Sequence, residues 1–291
     1  IGDSFSMPPE VTKSNEQGKY IYWTNEFANK TGLSITAINI DKLSIEELVS
    51  SEAFQLHPPK AVIYQSVERG IKGRLKRTSN KTCRNLFTPK VDALPVNNMS
   101  ILASDYKLIR KFFWLDYETN VYVARHKIKD IFKVSKAEKV KIIPLKSAAP
   151  FSSKEKKKLL ILKDDFTKEK LSQQRLYDMQ CTLLNFQNKV QKNGYTAFFT
   201  MISPDKLSMY DHLAVNNSIV NKSSLEELEL NKEINWINVG VVLSAAIERG
   251  QMDIYRPNDS HWGSAGSELV SNTVISQLQS QGILHTINTD E

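Results

Sequence analysis

The feature that most constrains the fold is an alternation of short apolar strands with amphipathic helices along the first seventy residues. Residues 14–31 read as a helix that buries Ile21, Trp23 and Phe27 on or near one face. Residues 34–40 alternate polar and apolar, which predicts a strand. Ser44-Ile45-Glu46-Glu47 has the spacing of a capping box, so a short helix starts there and runs to about Phe54, before Pro58-Pro59. Ala61-Val62-Ile63-Tyr64 is a short apolar strand that leads into Glu68-Arg69-Gly70. Strands joined through helices pair in parallel and need helical cover. The pattern therefore predicts an α/β fold, a three-layer α/β/α sandwich around a mostly parallel central sheet.

Residues 71–168 break this regularity. They hold a turn-rich stretch at 78–98, a helical pattern at 104–114, a strand-like 120–124, and apolar pieces at 140–145 and 159–162. We read them as an irregular insertion or cap at about 71–168 within a single domain spanning 1–291. Regularity returns at Glu169. Leu176, Met179, Leu183, Phe186 and Val190 recur at spacings of three and four, an amphipathic helix that Gly194 ends. Residues 195–202 read as a strand broken by Pro204-Asp205-Lys206. A helix at 239–249, a short strand around Ile254-Tyr255 and a closing helix at 266–279, apolar at Leu269, Val270, Val274 and Leu278, complete the chain.

Bulk composition excludes more than it assigns. No run approaches the roughly 18 apolar residues that a membrane-spanning helix needs. The formal charge is +7 but scattered, with one mild concentration at Lys154-Glu155-Lys156-Lys157-Lys158 that a solvated loop or helix start explains. Nucleic acid is therefore not an expected partner. Cys83 and Cys181 are too few for a disulfide scaffold and match no metal spacing, and both a single bridge and a reduced pair fit them. The sequence starts at Ile1, directly on a Gly-Asp-Ser turn of the kind that follows a buried strand. A preceding segment that anchors or secretes the chain is the expectation.

Two short motifs carry chemistry. Gly2-Asp3-Ser4 places a serine on a strand-to-helix turn, where open α/β folds put their sites, beyond the carboxyl ends of the strands. A serine hydroxyl is a weak nucleophile without a neighbouring base. Of five histidines, only His261 has an acidic residue two before it, Asp259, and a helix just after. Asp259 could hold the imidazole in the tautomer that accepts the Ser4 proton, which is the logic of a Ser-His-Asp triad. Backbone N–H groups of the serine turn could face a developing oxyanion. A plain turn at Gly-Asp-Ser and a surface histidine are the bland alternatives.

This combination resembles the SGNH/GDSL hydrolase superfamily, whose first block is Gly-Asp-Ser and whose last carries Asp and His. Asp259-Ser260-His261-Trp262 is similar to the Asp-x-His-Trp signature of its polysaccharide O-acetyltransferase branch (AlgX/AlgJ-like, DHHW-type). Ala61-Val62-Ile63-Tyr64-Gln65-Ser66-Val67-Glu68-Arg69 is similar to that branch's strand followed by Glu-Arg. Phe199-Thr200-Met201-Ile202-Ser203-Pro204-Asp205-Lys206, with Tyr210 beyond, resembles its strand-Pro-Asp-Lys-Tyr segment. The serine motif comes first here, as in ordinary SGNH hydrolases, whereas it follows the Asp-His motif in the alginate-type proteins; a circular permutation would reconcile the two orders. No Gly-x-Asn-Asp block is evident.

The resemblance implies Ser4, His261 and Asp259 as the catalytic residues. Gln65, Ser66 and Arg69 are then the candidates for oxyanion or substrate contact after the first strand. Arg69 pairing with Glu68 is an equal alternative. Trp262 could stack on a sugar or pack in the core, and Lys206 and Tyr210 could touch substrate or be structural. The implied activity is serine-dependent O-acetyl transfer to an extracytoplasmic polysaccharide. A membrane-bound acyl-export protein would supply the acetyl group, and no cofactor or metal is implied. A carbohydrate O-acetyl esterase and a non-catalytic glycan-binding or assembly protein are the rival readings.

Overall fold

A computed structural model describes residues 1–6, 22–75, 140–146, 150–166, 171–215 and 225–284. All of them belong to one compact unit built from Ile1–Ala93 and Val140–Glu291. The expected helical turns at 14–21, the turn-rich 78–98, the helix at 104–114 and the strand at 120–124 lie outside the described residues.

The described part is α/β with a small, mostly parallel sheet. Strand β1 (Ala61–Val67) pairs in parallel with a strand that forms late in the chain, Ala197–Ser203, in register Ala61 to Ala197 through Val67 to Ser203. Shorter segments extend the ladder on both sides. Ile1 donates to the Ile63 carbonyl and accepts from the Gln65 N–H. Gly2 in turn donates to Ile38 and accepts from Ile40. On the far edge Thr200 donates to Asn235 and accepts from Ile237.

Nine α-helices surround these strands among the described residues. They are α1 (Trp23–Thr31), α2 (Ile45–Ser50), α3 (Glu52–Leu56), α4 (Glu68–Arg74), α5 (Gln173–Gln191), α8 (Val239–Glu248) and α9 (Ser264–Ser280), with short α6 (Lys206–Tyr210) and α7 (Leu225–Glu229) between α5 and α8. Side chains alternate across a strand, so each strand feeds two cores. Ala197, Phe199, Met201 and Val67 pack with Trp23 and Phe27 of α1, Leu243 and Ile247 of α8, and Val270, Val274 and Leu278 of α9. Val62, Tyr64, Phe198 and Ile202 pack with Ile45, Phe54, Ile71, and Leu176, Met179, Leu183 and Val190 of α5. Both strands are apolar on both sides, as a parallel pair covered by helices requires.

Strand β2 (Val140–Pro144) and strand β3 (Lys158–Leu162) form a separate antiparallel pair, and the Ala197–Ser203 strand is β4. Ile143, Leu159 and Ile161 join the first core.

Three expectations change. Residues 34–40 are not a strand: only a single bridge, Gly2 to Asn39, forms. Their partner is the short segment at Ile1–Gly2, too brief to support a ladder, and Ile35, Ile38 and Ile40 are only half-buried. The helix at 44–54 is two helices. Its start holds, with Glu47 N–H donating to Ser44 Oγ and Ser44 N–H to the Glu47 carboxylate. Ser51 then turns extended and its Oγ accepts from Phe54 N–H, restarting the helix as α3. The strand around Ile254-Tyr255 is also a lone bridge, Tyr255 to Trp262, closing a tight loop.

Gly194 ends α5 with a positive φ of 68°, which glycine adopts at no steric cost. Cys181 is buried on α5 and disulfide-bonded, and Cys83 lies outside the described residues. None of the described helices is long and apolar enough to cross a membrane.

Candidate active site

Ser4 stands on a turn held from several directions. The Asp3 carboxylate accepts from Phe5 N–H at 3.1 Å, from Val67 N–H at 2.6 Å and from the Arg74 guanidinium at 2.7 Å. Gln65 Oε1 accepts from Asp3 N–H and from Ser6 Oγ, each at 2.9 Å, and Gln65 Nε2 donates to Ser203. Trp23 of α1 donates its indole N–H to Ser6 Oγ, and Thr24 donates to the Ser6 carbonyl. The first residue of the motif must be small. A Cβ on Gly2 would stand 2.5 Å from Ser6 Oγ and 2.7 Å from Gln65 Oε1. The turn thus presents Ser4 at the carboxyl end of β1 with little freedom.

His261 meets it from the other end of the chain. The loop before α9 is tied by Arg256 N–H to the His261 carbonyl and Gly263 N–H to the Ile254 carbonyl. His261 Nε2 lies 2.7 Å from Ser4 Oγ, and Nδ1 lies 2.7 Å from Asp259 Oδ1. His261 N–H also donates to Asp259, and Arg256 stands 3.6 Å from the other carboxylate oxygen. The Phe5 ring packs 4.8 Å from the imidazole and edge-on to Trp262, also at 4.8 Å.

The electrostatics assign the protons. Burial pushes the Asp259 carboxyl up, but the hydrogen bonds and charge of His261 and the Arg256 guanidinium outweigh it and hold the group at about 2. Asp259 is therefore ionised near neutral pH, and a carboxylate can only accept. The proton of neutral His261 must sit on Nδ1, which leaves Nε2 to accept from the Ser4 hydroxyl. That is the protonation pattern of a general base on a serine nucleophile.

The structure joins Ser4, His261 and Asp259 in one hydrogen-bonded chain and distributes the other expected residues around it. Gln65 lies beneath the serine turn, its carbonyl oxygen used by Asp3 and Ser6. Ser66 points to the opposite side of β1, where its Oγ accepts from Arg74. Arg69, at the start of α4, forms ion pairs with Asp205 and Asp165. Trp262 is 2% exposed and packs in the first core, so its face is not open to a sugar ring. Tyr210 is wholly buried and its hydroxyl accepts from Tyr255 N–H. Lys206 is also wholly buried, with its ammonium on backbone carbonyls of the 256–259 loop.

Sequence reasoning missed Arg74 as the partner of Asp3. A basic residue one helix-length past the strand carries no pattern that singles it out. Asp3 was in view as part of Gly-Asp-Ser, but only the fold shows that its carboxylate ties the turn to β1.

No family model matches this chain, and neither a curated protein nor a solved structure matches it.

Proposed function

We propose that the protein is a serine-dependent O-acetyltransferase of the SGNH type that acts on an extracytoplasmic polysaccharide. The observation that carries this is the unbroken chain Ser4 Oγ to His261 Nε2, and His261 Nδ1 to Asp259. His261 takes the Ser4 proton as Oγ attacks the acetyl carbonyl carbon, and returns it to the departing donor group. A sugar hydroxyl then loses its proton to Nε2 and attacks acetyl-Ser4, and Ser4 is restored with that proton. Phe5 N–H and Ser6 N–H already donate to Asp3, so the turn's share of oxyanion stabilisation falls to the Ser4 N–H.

The two cores on either side of β1 and β4 support the three-layer α/β/α sandwich expected of that superfamily. The bonded state of Cys181 supports an oxidising compartment outside the cytoplasm. The acetyl donor would come from a membrane-bound acyl-export partner. One observation favours the esterase reading: the His261 side chain is 26% exposed, so water can reach the acyl group from its side. The intact triad weighs against a purely glycan-binding role.

Intact-protein mass spectrometry after exposure to p-nitrophenyl acetate tests the proposal, with Ser4→Ala as control and candidate oligosaccharides as acceptors. The expected result is an acetyl adduct that requires Ser4 and passes to a sugar. Rapid Ser4-dependent turnover without a sugar product identifies the esterase instead. An adduct unchanged in Ser4→Ala removes Ser4 from the chemistry.

A further inference from the structure

Lys206 is a charged side chain with no exposure to solvent, at the first residue of α6. Burying an ammonium is costly unless it is hydrogen-bonded. Its Nζ donates to three carbonyls of one loop: Arg256 at 2.6 Å, Pro257 at 3.0 Å and Asp259 at 3.1 Å. It also stands 4.6 Å over the ring of Phe151. The same short stretch grips the loop at a second place. Tyr255 Oη donates to the Pro204 carbonyl at 2.7 Å, and Tyr255 N–H donates to Tyr210 Oη. The loop so held carries Asp259 and His261.

We propose that Lys206 is a positioning residue, whose ammonium gathers the carbonyls of Arg256, Pro257 and Asp259 and so keeps Asp259 and His261 aligned on Ser4. The inference rests on the catalytic reading above and adds the element that assembles the site. Lys206 touches neither the nucleophile nor the base; it acts through the loop backbone. The geometry explains the donor count: an ammonium has three N–H groups for three carbonyls, and a neutral amine has only two.

Titration of Lys206 is a second handle. Burial lowers its pKa to about 8, against the pull of Asp259, Asp165 and Asp253. Other charges also face this region: Arg69 pairs with Asp165, and Arg256 lies beside Asp259. Asp205 also pairs with Arg69, Glu68 accepts from Asp205 N–H and Ser208 Oγ, and Tyr210 and Tyr255 are pushed well up by burial and stay neutral. As pH rises through about 8 the amine loses a donor and the loop loosens. The sign for overall stability is opposite. Between about 8 and the ordinary lysine value of 10.5, the unfolded chain binds the proton that the folded chain has released. Stability therefore rises in that window while alignment is lost. A merely structural lysine would not separate the two.

The test uses Lys206→Met and Lys206→Arg in the full chain, with folding checked by circular dichroism. Two readouts are taken: the tautomer of His261, from ring 15N shifts correlated to its carbon-bound protons, and the rate at which an alkyl fluorophosphonate labels Ser4. Lys206→Met is expected to mix the tautomers and slow labelling about 100-fold, the scale of a 1 Å misplacement. Lys206→Arg, which keeps the charge, should recover part of both. In the wild type, both the Nδ1–H tautomer and the labelling rate should decline above about pH 8. A folded Lys206→Met that keeps the tautomer and labels within about twofold of wild type overturns the proposal. If that variant does not fold, a wild-type tautomer and rate unchanged from pH 7 to 10 overturn it instead. A wild type with the locked tautomer but no Ser4 labelling sinks the catalytic reading alone, because the tautomer still reports whether Lys206 positions the loop.

Discussion

Asp259 shows how much one side chain decides. It is the hydrogen-bond partner of His261 Nδ1 among the described residues, and its charge selects the tautomer that leaves Nε2 free to accept from Ser4. Asp259→Asn keeps the shape and removes the charge. The amide can present N–H to Nδ1, which moves the ring proton to Nε2 and away from the task. Ser4 labelling by a fluorophosphonate should fall by roughly 10³–10⁴-fold, the cost of a wrong tautomer in such triads. The pH dependence has a definite sign. The folded carboxyl is held at about 2, below its ordinary 3.8. Its contribution to stability is therefore complete above about pH 4 and lost as pH falls towards 2. Acid unfolding monitored by circular dichroism should lose that component in Asp259→Asn.

At the scale of elements, α9 is seated on the loop that bears Asp259 and His261. A Cβ on Gly266 would stand 2.2 Å from the Ile254 carbonyl oxygen and 3.1 Å from the Trp262 Cβ. Neither neighbour is the far end of a flexible side chain, so α9 or the loop must shift. Gly266→Ala should destabilise by about 1–3 kcal/mol, as overpacking does. Ser4 labelling should also slow in the fraction that remains folded, because the loop between Tyr255 and Trp262 moves with the helix start. Thermal unfolding and labelling, measured together, check both effects. Unchanged labelling in a destabilised Gly266→Ala would uncouple α9 from the site. Elements also mark where sequence patterns were readable. α5 and α9 follow their apolar periodicity because each lays one stripe on a core. Residues 34–40 did not become a strand, since alternation describes one segment's exposure and says nothing about the length of its partner.

At the scale of the whole molecule, the site exists only because two chain ends meet. Ser4 and His261 are 257 positions apart and share a 2.7 Å hydrogen bond. Two of the four tryptophans, Trp23 and Trp262, are buried in the first core next to that junction. No local structure can preserve the pairing once the core opens. In a urea titration, Ser4 labelling and the buried-tryptophan emission should be lost at one midpoint, as a cooperative transition requires. Labelling lost well before the emission change would place the site in a locally unfolding unit.

The sequence by itself determined the α/β class, the order of the main helices and the two continuous strands, and it singled out Ser4, His261 and Asp259, which the fold joins by hydrogen bonds. These follow from local chemistry: periodicity, caps, a Gly-Asp-Ser turn, and a histidine two residues after an aspartate. The tertiary structure decided everything that depends on neighbours distant in sequence. It brought Ser4 to His261, tied Asp3 to Arg74, and turned Gln65 inward under the serine turn. It placed Trp262 and Tyr210 in the core, and it set the Lys206 ammonium on the carbonyls of the 256–259 loop. The reason is physical: a hydrogen bond or an ion pair depends on where its partner is, and residue type alone does not specify that.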